Sequence, residues 1–361
     1  MKTYSIANIP GDGVGAEIAL EAVKILAAAG DKFGFACKVE SYDWGCDYYL
    51  KHGEMGPKDK LDTLKGFDAI FLGCIGDAAK VPDHVSLTIL LDIRKGFDQY
   101  VNLRPIKLYP GVYSPIRTAT PESVDFMVVR ENTEGEYAGT GGYFKPDQPE
   151  GFAYQTAIFS RKGCDRVIRY AFELARSRKG RIEGDQVGML TNCTKSNALN
   201  YSMVYWDKIY REVATGYPDI KQDMALVDAM TMWMVKNPEY FDVVVASNLF
   251  GDIITDLGAM LQGGMGFAAG GNINPEKDYP SMFEPIHGSA PKYAGKGVVN
   301  PIATIESVRM MLDHLGEAEA AQAVQEAEIK VLEAGAVRTK DMGGTASTAQ
   351  MGDAVKAALL A

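Results

Sequence analysis

The sequence predicts an α/β fold, a sheet covered by helices, on three observations. Val243 to Ala246 is a short, unbroken, β-branched run, the pattern of a strand buried on both faces. Leu64 to Gly76 (LKGFDAIFLGCIG) carries a second buried strand that ends in glycines. Strand-like and helix-periodic segments alternate along the chain, the order that builds a sheet with crossover helices. At 361 residues, two domains or one large α/β unit are expected, with ample chain for a core.

In chain order, Tyr4 to Ile9 reads as a first strand and Ala16 to Ala29 as a helix with an apolar 3.6-residue stripe. Between them, Gly11-Asp12-Gly13-Val14-Gly15-Ala16 fits the dinucleotide fingerprint formally, with Glu40 and Asp43 where a ribose-binding acid would be sought. The plainer reading is a tight glycine turn that ends the strand, since Pro10 makes it unlike a standard phosphate loop. Arg94, Arg104 and Arg130 each fall near a predicted strand or helix end. Singly each reads as surface charge; together they suit bidentate capture of a carboxylate.

Asp125 to Arg130 is strand-like, and Gly139 to Pro149, rich in glycine and proline, is expected to be a loop or projecting arm. Cys164 to Arg178 is an amphipathic helix, and Gln186 to Leu190 a strand leading to Thr194-Lys195-Ser196-Asn197. Ser202 to Thr215 reads as helix, and Met224 to Val227 as a short strand followed by Asp228. A glycine-rich segment, Gly263 to Gly271, precedes Glu284-Pro285-Ile286-His287-Gly288-Ser289-Ala290-Pro291-Lys292-Tyr293. Glu306 to Leu315 and Glu317 to Ala334 are helix-periodic.

After the Val243–Ala246 run, Ser247 and Asn248 offer cap chemistry, and Asp252-Ile-Ile-Thr-Asp256 is expected to open a helix. Residues four apart share a helical face, so Asp252 and Asp256 point the same way. One reading is a solvated acidic helix start favoured by the dipole. The other is a site for a hard divalent cation, which takes oxygen ligands.

Composition narrows the class. Hydrophobic residues make up 47% and charged residues 23%, ordinary for a soluble globular protein. A net charge of −10 with no basic stripe argues against nucleic acid as a partner. The five cysteines (Cys37, Cys46, Cys74, Cys164, Cys193) form no CxxC pair, so free thiols in a reducing compartment are expected. With no signal peptide read at the N-terminus and no membrane-length apolar run, a cytoplasmic location is expected.

The motifs NLRP, VREN, EGEY, TKSN, VDAM, SNLFGDIITD and EPIHGSAP follow one another in a single order between residues 102 and 291. That succession resembles the isocitrate and isopropylmalate dehydrogenase family, the decarboxylating β-hydroxyacid dehydrogenases. Asp43-Trp44-Gly45, Asp47-Tyr48-Tyr49, Lys51-His52-Gly53, Pro82-Asp83-His84 and Phe97-Asp98-Gln99-Tyr100 look most like its D-malate and tartrate dehydrogenase branch. The resemblance implies a two-domain isopropylmalate-dehydrogenase-like fold with a mixed sheet, not a Rossmann fold. It implies a large cofactor-binding domain (1–100 and 263–361) and a smaller one (101–262) with the dimer interface and an arm.

The resemblance also implies roles. Asp252 and Asp256 would hold Mg²⁺ or Mn²⁺, joined by Asp228 of the other subunit of a homodimer with shared active sites. Arg94, Arg104 and Arg130 would bind the substrate's β-carboxylate, and Tyr137 and Lys195 form the catalytic pair, Lys195 reaching across the interface. NAD or NADP would lie against His287, Gly288, Ser289, Ala290, Lys292, Tyr293 and Asn300, with Glu284 and Asn197 among its contacts. The implied reaction is metal-dependent oxidative decarboxylation of a 2-hydroxy dicarboxylic acid. Leu90 and Leu91, ahead of the first arginine, offer no donor for an extra carboxylate. That disfavours isocitrate and leaves D-malate or tartrate, with 3-isopropylmalate as the alternative. A non-catalytic regulatory homologue is the alternative of another class. Finally, Lys292-Tyr293 stands where the malate, tartrate and isopropylmalate branches usually carry an aspartate, and looks like the NADP-binding pair of isocitrate dehydrogenases. Arg338 is the one candidate for a second phosphate-binding cation.

Overall fold

The computed structural model describes residues 2–178 and 186–361, which form two compact units. The first comprises Met1–Gln99, Pro105–Val124 and Ala259–Ala361, the second Tyr100–Arg104 and Asp125–Gly258. Segment 105–124 joins the first unit through side chains: the Lys107 N–H donates to Gln262 at 2.8 Å, and the Tyr109 hydroxyl to Glu306 at 3.2 Å.

The strands are β1 (Lys2–Gly11), β2 (Phe35–Ser41), β3 (Ala69–Cys74), β4 (Val101–Lys107), β5 (Asp125–Glu131) and β6 (Gly135–Phe144). They continue with β7 (Phe152–Ile158), β8 (Gly188–Thr194), β9 (Ile220–Leu226), β10 (Val243–Ala246), β11 (Ala269–Ile273) and β12 (Ser281–Pro285). In the first unit the order β2-β1-β3-β12-β11 is parallel except for the antiparallel β11/β12 pair, so the sheet is mixed. In the second, β5, β10, β8 and β9 run parallel.

The apolar runs explain the layering. Every residue of β3 and of β10 is buried, as a strand covered on both faces requires. Helix Gly15–Phe33 buries Ile18, Ala22, Ile25, Leu26 and Ala29 on one face and stops at Gly34, whose φ of 81° only glycine adopts readily. Helix Arg161–Ser177 starts at Ser160, whose hydroxyl accepts from the Gly163 N–H at 2.9 Å, and buries Cys164, Val167, Ile168, Ala171, Phe172 and Ala175. Among the described residues no helix is long and apolar enough to cross a membrane. All five cysteines are free thiols.

At four places the local structure adds to or departs from the sequence reading. The loop or projecting arm expected over Gly139 to Pro149 is part of a two-stranded antiparallel hairpin, β6/β7, with Phe144 and Phe152 rings 5.3 Å apart. Its glycines serve close cross-strand approach, since a Cβ at Gly141 would come 2.5 Å from the Tyr154 carbonyl oxygen. The glycine-rich segment contains part of a fully buried strand, β11. The helix after β10 begins at Asn248, so Asp252 stands in its second turn and Ser247 Oγ caps nothing. The glycine turn takes the plainer of its two readings: the Asp12 N–H donates to Cys74 O (2.7 Å) and the Val14 N–H to Ser289 O (2.8 Å), so these donors serve the protein. Asp12 itself accepts from the N–H groups of Cys46 and Gly76, both at 2.8 Å.

Candidate active site and coenzyme cavity

In the second unit, strand ends deliver the charged residues. Arg130 lies near the C-terminal end of β5, 2% exposed, beside the helix Asn248–Leu261. Gly251 of that helix permits the approach, because a Cβ there would stand 2.5 Å from Arg130 Cγ. Arg130 donates to Asn248 Oδ1 through Nε (3.1 Å) and Nη2 (2.7 Å), and through Nη1 to Asp252 Oδ1. Arg104 donates from Nε to Asn102 Oδ1 at 2.7 Å and from Nη1 to Thr255, and its Nη2 lies 3.5 Å from Asp252 Oδ1. The Tyr137 hydroxyl donates to Asp252 Oδ2 at 2.9 Å, and its ring centre is 5.4 Å from the Arg130 guanidinium carbon. One carboxylate thus gathers two guanidinium groups and a phenol.

Asp256 lies one turn on. Partial burial raises its carboxyl above the ordinary value; Arg104 pulls it down, Asp252 pushes it up and Arg130 pulls it down again. Its side chain is exposed to solvent. Lys195, just past the end of β8, pairs with Asp228 in the first turn of helix Val227–Lys236 at 2.6 Å. That contact holds the Asp228 carboxyl below its ordinary value. Among the described residues no three Asp, Glu, His or Cys side chains converge as a metal cluster. Asp252 and Asp256 therefore come together without Asp228. Asn197 is exposed in this unit.

In the first unit, Arg94 ends the helix Thr88–Gly96 and pairs with Glu284 at 2.8 Å, both buried. Glu284 also accepts from the Asn272 side chain at 2.8 Å. Leu90 packs partly against the core cluster that includes Trp44, Ile89 and Ile93, while Leu91 is half-buried.

The same unit holds a cavity of about 620 Å³. Of the residues expected to meet a coenzyme, His287, Gly288, Ala290, Tyr293 and Asn300 line it; Glu284, Ser289 and Lys292 do not. Ser289 is buried, its hydroxyl donating to Gly76 O. Burial lowers the His287 pKa, against a backbone contact with Gly288 that raises it. Lys292, Lys296 and Lys340 place their ammonium groups 5.0, 5.8 and 5.6 Å from the centre of the Tyr293 ring. Arg338 lines a separate cavity with Gly335, Gly344, Gln350 and Asp353.

Sequence reasoning missed Val14, Met265, Gly266, Lys340 and Asp341 on the cavity wall. Asp341 accepts from Asn300 at 3.0 Å and from Thr339 at 2.5 Å. The available signal was the Thr339-Lys340-Asp341 break between helices Ala318–Ala334 and Thr348–Leu360, just before a Gly-Gly pair.

Comparisons with known proteins bear on this geometry. A chain of Agrobacterium vitis named "probable tartrate dehydrogenase/decarboxylase" is 49% identical over 357 residues, covering 98% of this chain and 97% of its own. The D-malate dehydrogenase [decarboxylating] of Escherichia coli is 47% identical over 363 residues, covering 98% of each chain. The crystal structure of isocitrate dehydrogenase from Methylococcus capsulatus superposes with a TM-score of 0.88 at 36% identity, covering 99% of this chain and 100% of that one. The profile described as isocitrate/isopropylmalate dehydrogenase matches residues 5–355. The chain therefore belongs to the isocitrate/isopropylmalate dehydrogenase family and is an oxidoreductase, a decarboxylating dehydrogenase acting on a CH–OH group.

Proposed function

We propose that the protein catalyses oxidative decarboxylation of a small 2-hydroxy dicarboxylic acid of the D-malate or tartrate type, using a divalent cation and a nicotinamide coenzyme. What carries the reading is the cluster in which Arg104, Arg130 and Tyr137 all meet Asp252. It combines a carboxylate receptor, a proton donor and a cation ligand within one unit. The names of the A. vitis and E. coli relatives support the substrate class.

The donor set suits a hard cation. Asp252 and Asp256 are oxygen ligands on one helical face, and each carboxylate repels the other. Such a cation, when bound beside a 2-hydroxy acid, withdraws electron density from the C2 oxygen. Asp228 would complete the site from a second copy of the chain. Supporting that homodimer, Met232, Trp233 and Val235 are exposed on the helix that carries Asp228, as are Tyr143, Phe152 and Tyr154 on the hairpin. Lys195 travels with Asp228 as a bound pair, so one chain would deliver both to its partner's site. Five free cysteines suit a cytoplasmic, reducing setting.

In this reading Lys195 takes the C2 hydroxyl proton as a neutral amine, a form that the charge of a divalent cation beside it would favour, and Asp228 holds it in place. Arg104 and Arg130 hold the carboxylate that leaves as CO₂, the role that the family resemblance also gives Arg94. Tyr137 then gives a proton to the carbon left behind.

The first-unit cavity suits an adenine nucleotide. Val14, Val299 and Ala290 offer an apolar floor, and Asn300 and Asp341 a polar edge. A Cβ at Gly266 would stand 2.8 Å from Asp341, so glycine keeps that edge open. The coenzyme, once bound, accepts the hydride. Three lysines around Tyr293 support use of NADP alongside NAD, with Lys296 and Lys340 in the part that Arg338 does not take.

The test is a panel of kcat/KM values for D-malate, tartrate, 3-isopropylmalate and isocitrate with Mn²⁺ and each coenzyme. D-malate or tartrate should lead, and a clear preference for isocitrate would overturn the substrate reading. NADP should be at least competitive with NAD. Lys292→Asp should lower kcat/KM for NADP by roughly tenfold or more relative to NAD, the size of one charge-assisted contact. Equal effects on the two coenzymes would show that Lys292 does not read the 2′ position.

A further inference from the structure

The glycine turn after β1 spends backbone donors on the protein itself and lies directly against the segment that walls the cavity. The Val14 N–H donates to Ser289 O at 2.8 Å. A Cβ at Gly13 would stand 2.0 Å from that same oxygen, so glycine alone allows the approach. One helical turn on, the half-buried Glu17 carboxylate accepts the Gly295 N–H at Oε1 and the Gly297 N–H at Oε2, the latter at 2.7 Å. Gly295 and Gly297 have φ of +72° and +59° and flank Lys296. Backbone N–H groups turned toward one point in this way form an anion-binding concavity. Here the anion is a side chain of the protein itself.

The anchored stretch carries the coenzyme groups. Lys292, Tyr293 and Lys296 lie between the Ser289 and Gly297 contacts, and Val298, Val299 and Asn300 follow as cavity wall. From the far side, the Thr348 N–H donates to Gly297 O at 2.9 Å and its hydroxyl to Val299 O at 2.7 Å. The segment is thus clamped between the starts of two helices, Gly15–Phe33 and Thr348–Leu360.

We infer that Glu17 is a positioning residue for the coenzyme: its two carboxylate oxygens fix the loop that carries Tyr293 and the lysines, without touching the nucleotide. The inference rests on the reading that the cavity takes the coenzyme. A neutral amide has one acceptor oxygen, so Glu17→Gln leaves one of the two glycine N–H groups unmatched and frees the loop to shift. The carboxylate's charge acts in the opposite sense. Through charge alone, its removal would favour NADP, which carries the additional phosphate, and leave NAD nearly unaffected. Positioning predicts that both nucleotides weaken together.

The experiment is calorimetric titration of the full-length wild type and Glu17→Gln with NADP and with NAD, alongside steady-state kinetics. Both affinities should fall roughly tenfold, the effect of one charge-assisted hydrogen bond. At saturating coenzyme kcat should stay within about twofold, with the substrate KM unchanged, as expected for a loss confined to coenzyme binding. Should Glu17→Gln not fold, Glu17→Asp keeps the charge but withdraws the oxygens by one methylene, and should weaken both nucleotides in the same ratio. Unchanged affinities in a folded variant, or a change confined to NADP, would overturn the inference. A wild type that binds neither nucleotide would overturn the coenzyme reading, and this inference with it.

Discussion

Replacing Lys195 with methionine is expected to lower kcat by roughly 10²–10⁴-fold, the range that a positioned general base contributes. Methionine keeps an unbranched stem of similar reach, so packing around the end of β8 should survive. What disappears is the amine that, when protonated, pairs with Asp228 at 2.6 Å and, when neutral, can take a proton. The Asp228 carboxyl, now held below its ordinary value by that contact, should move back up. The KM for the hydroxy acid should change much less than kcat, since the residue acts on the proton rather than on binding. Steady-state kinetics across pH measure both. A kcat within a factor of a few of wild type would remove Lys195 from the chemistry.

Asp252→Asn should have a comparably large effect for a different reason. The amide keeps the shape but loses the negative charge that Arg130, Arg104 and Tyr137 all meet. It also takes one carboxylate from the proposed cation site and puts in its place a poor donor for a hard cation. Losing several kcal/mol of charge stabilisation corresponds to roughly a thousandfold or more in rate. The helix Asn248–Leu261 retains its apolar face, so the circular dichroism and the thermal transition should show a folded protein. Activity measured against added Mn²⁺ and against a chelator decides the point. A variant that turns over normally with the chelator present would rule out Asp252 as a ligand.

How much of this was readable from residues alone depends on the range of the interaction. The β3 and β10 strands declared themselves as local apolar runs, and the Asp252/Asp256 pair follows from helical spacing without any tertiary knowledge. The ordered motifs identified the family across nearly the whole chain. Glycine hid the rest. Four of the ten residues of β6 and two of the five of β11 are glycines with no side chain to alternate, which breaks the period-two signal. Long-range pairings were equally silent: Glu284 meets Arg94 across 190 positions, and Asn248 orients Arg130 across 118. Lys340 reaches Tyr293 from a separate break between helices, which no spacing rule connects. The glycine turn was the reverse case, a formal motif match whose N–H groups pair within the protein.

The cluster around Asp252 is electrically balanced. Two guanidinium groups, Arg104 and Arg130, stand against two carboxylates, Asp252 and Asp256. Lys195 is likewise matched by Asp228, and in the first unit Arg94 by Glu284. A dicarboxylate entering alone would compete with carboxylates already holding those arginines, and a divalent cation entering alone would face two guanidinium charges. Entering as a neutral ion pair, each cancels the other's penalty. Substrate and cation should then be synergistic ligands, and thermodynamic reciprocity makes the enhancement equal in both directions. Mn²⁺ titrations should show affinity rising by about 5–150-fold once D-malate is present, the usual span of such coupling. An affinity indifferent to substrate would mean that the two bind to electrically separate places.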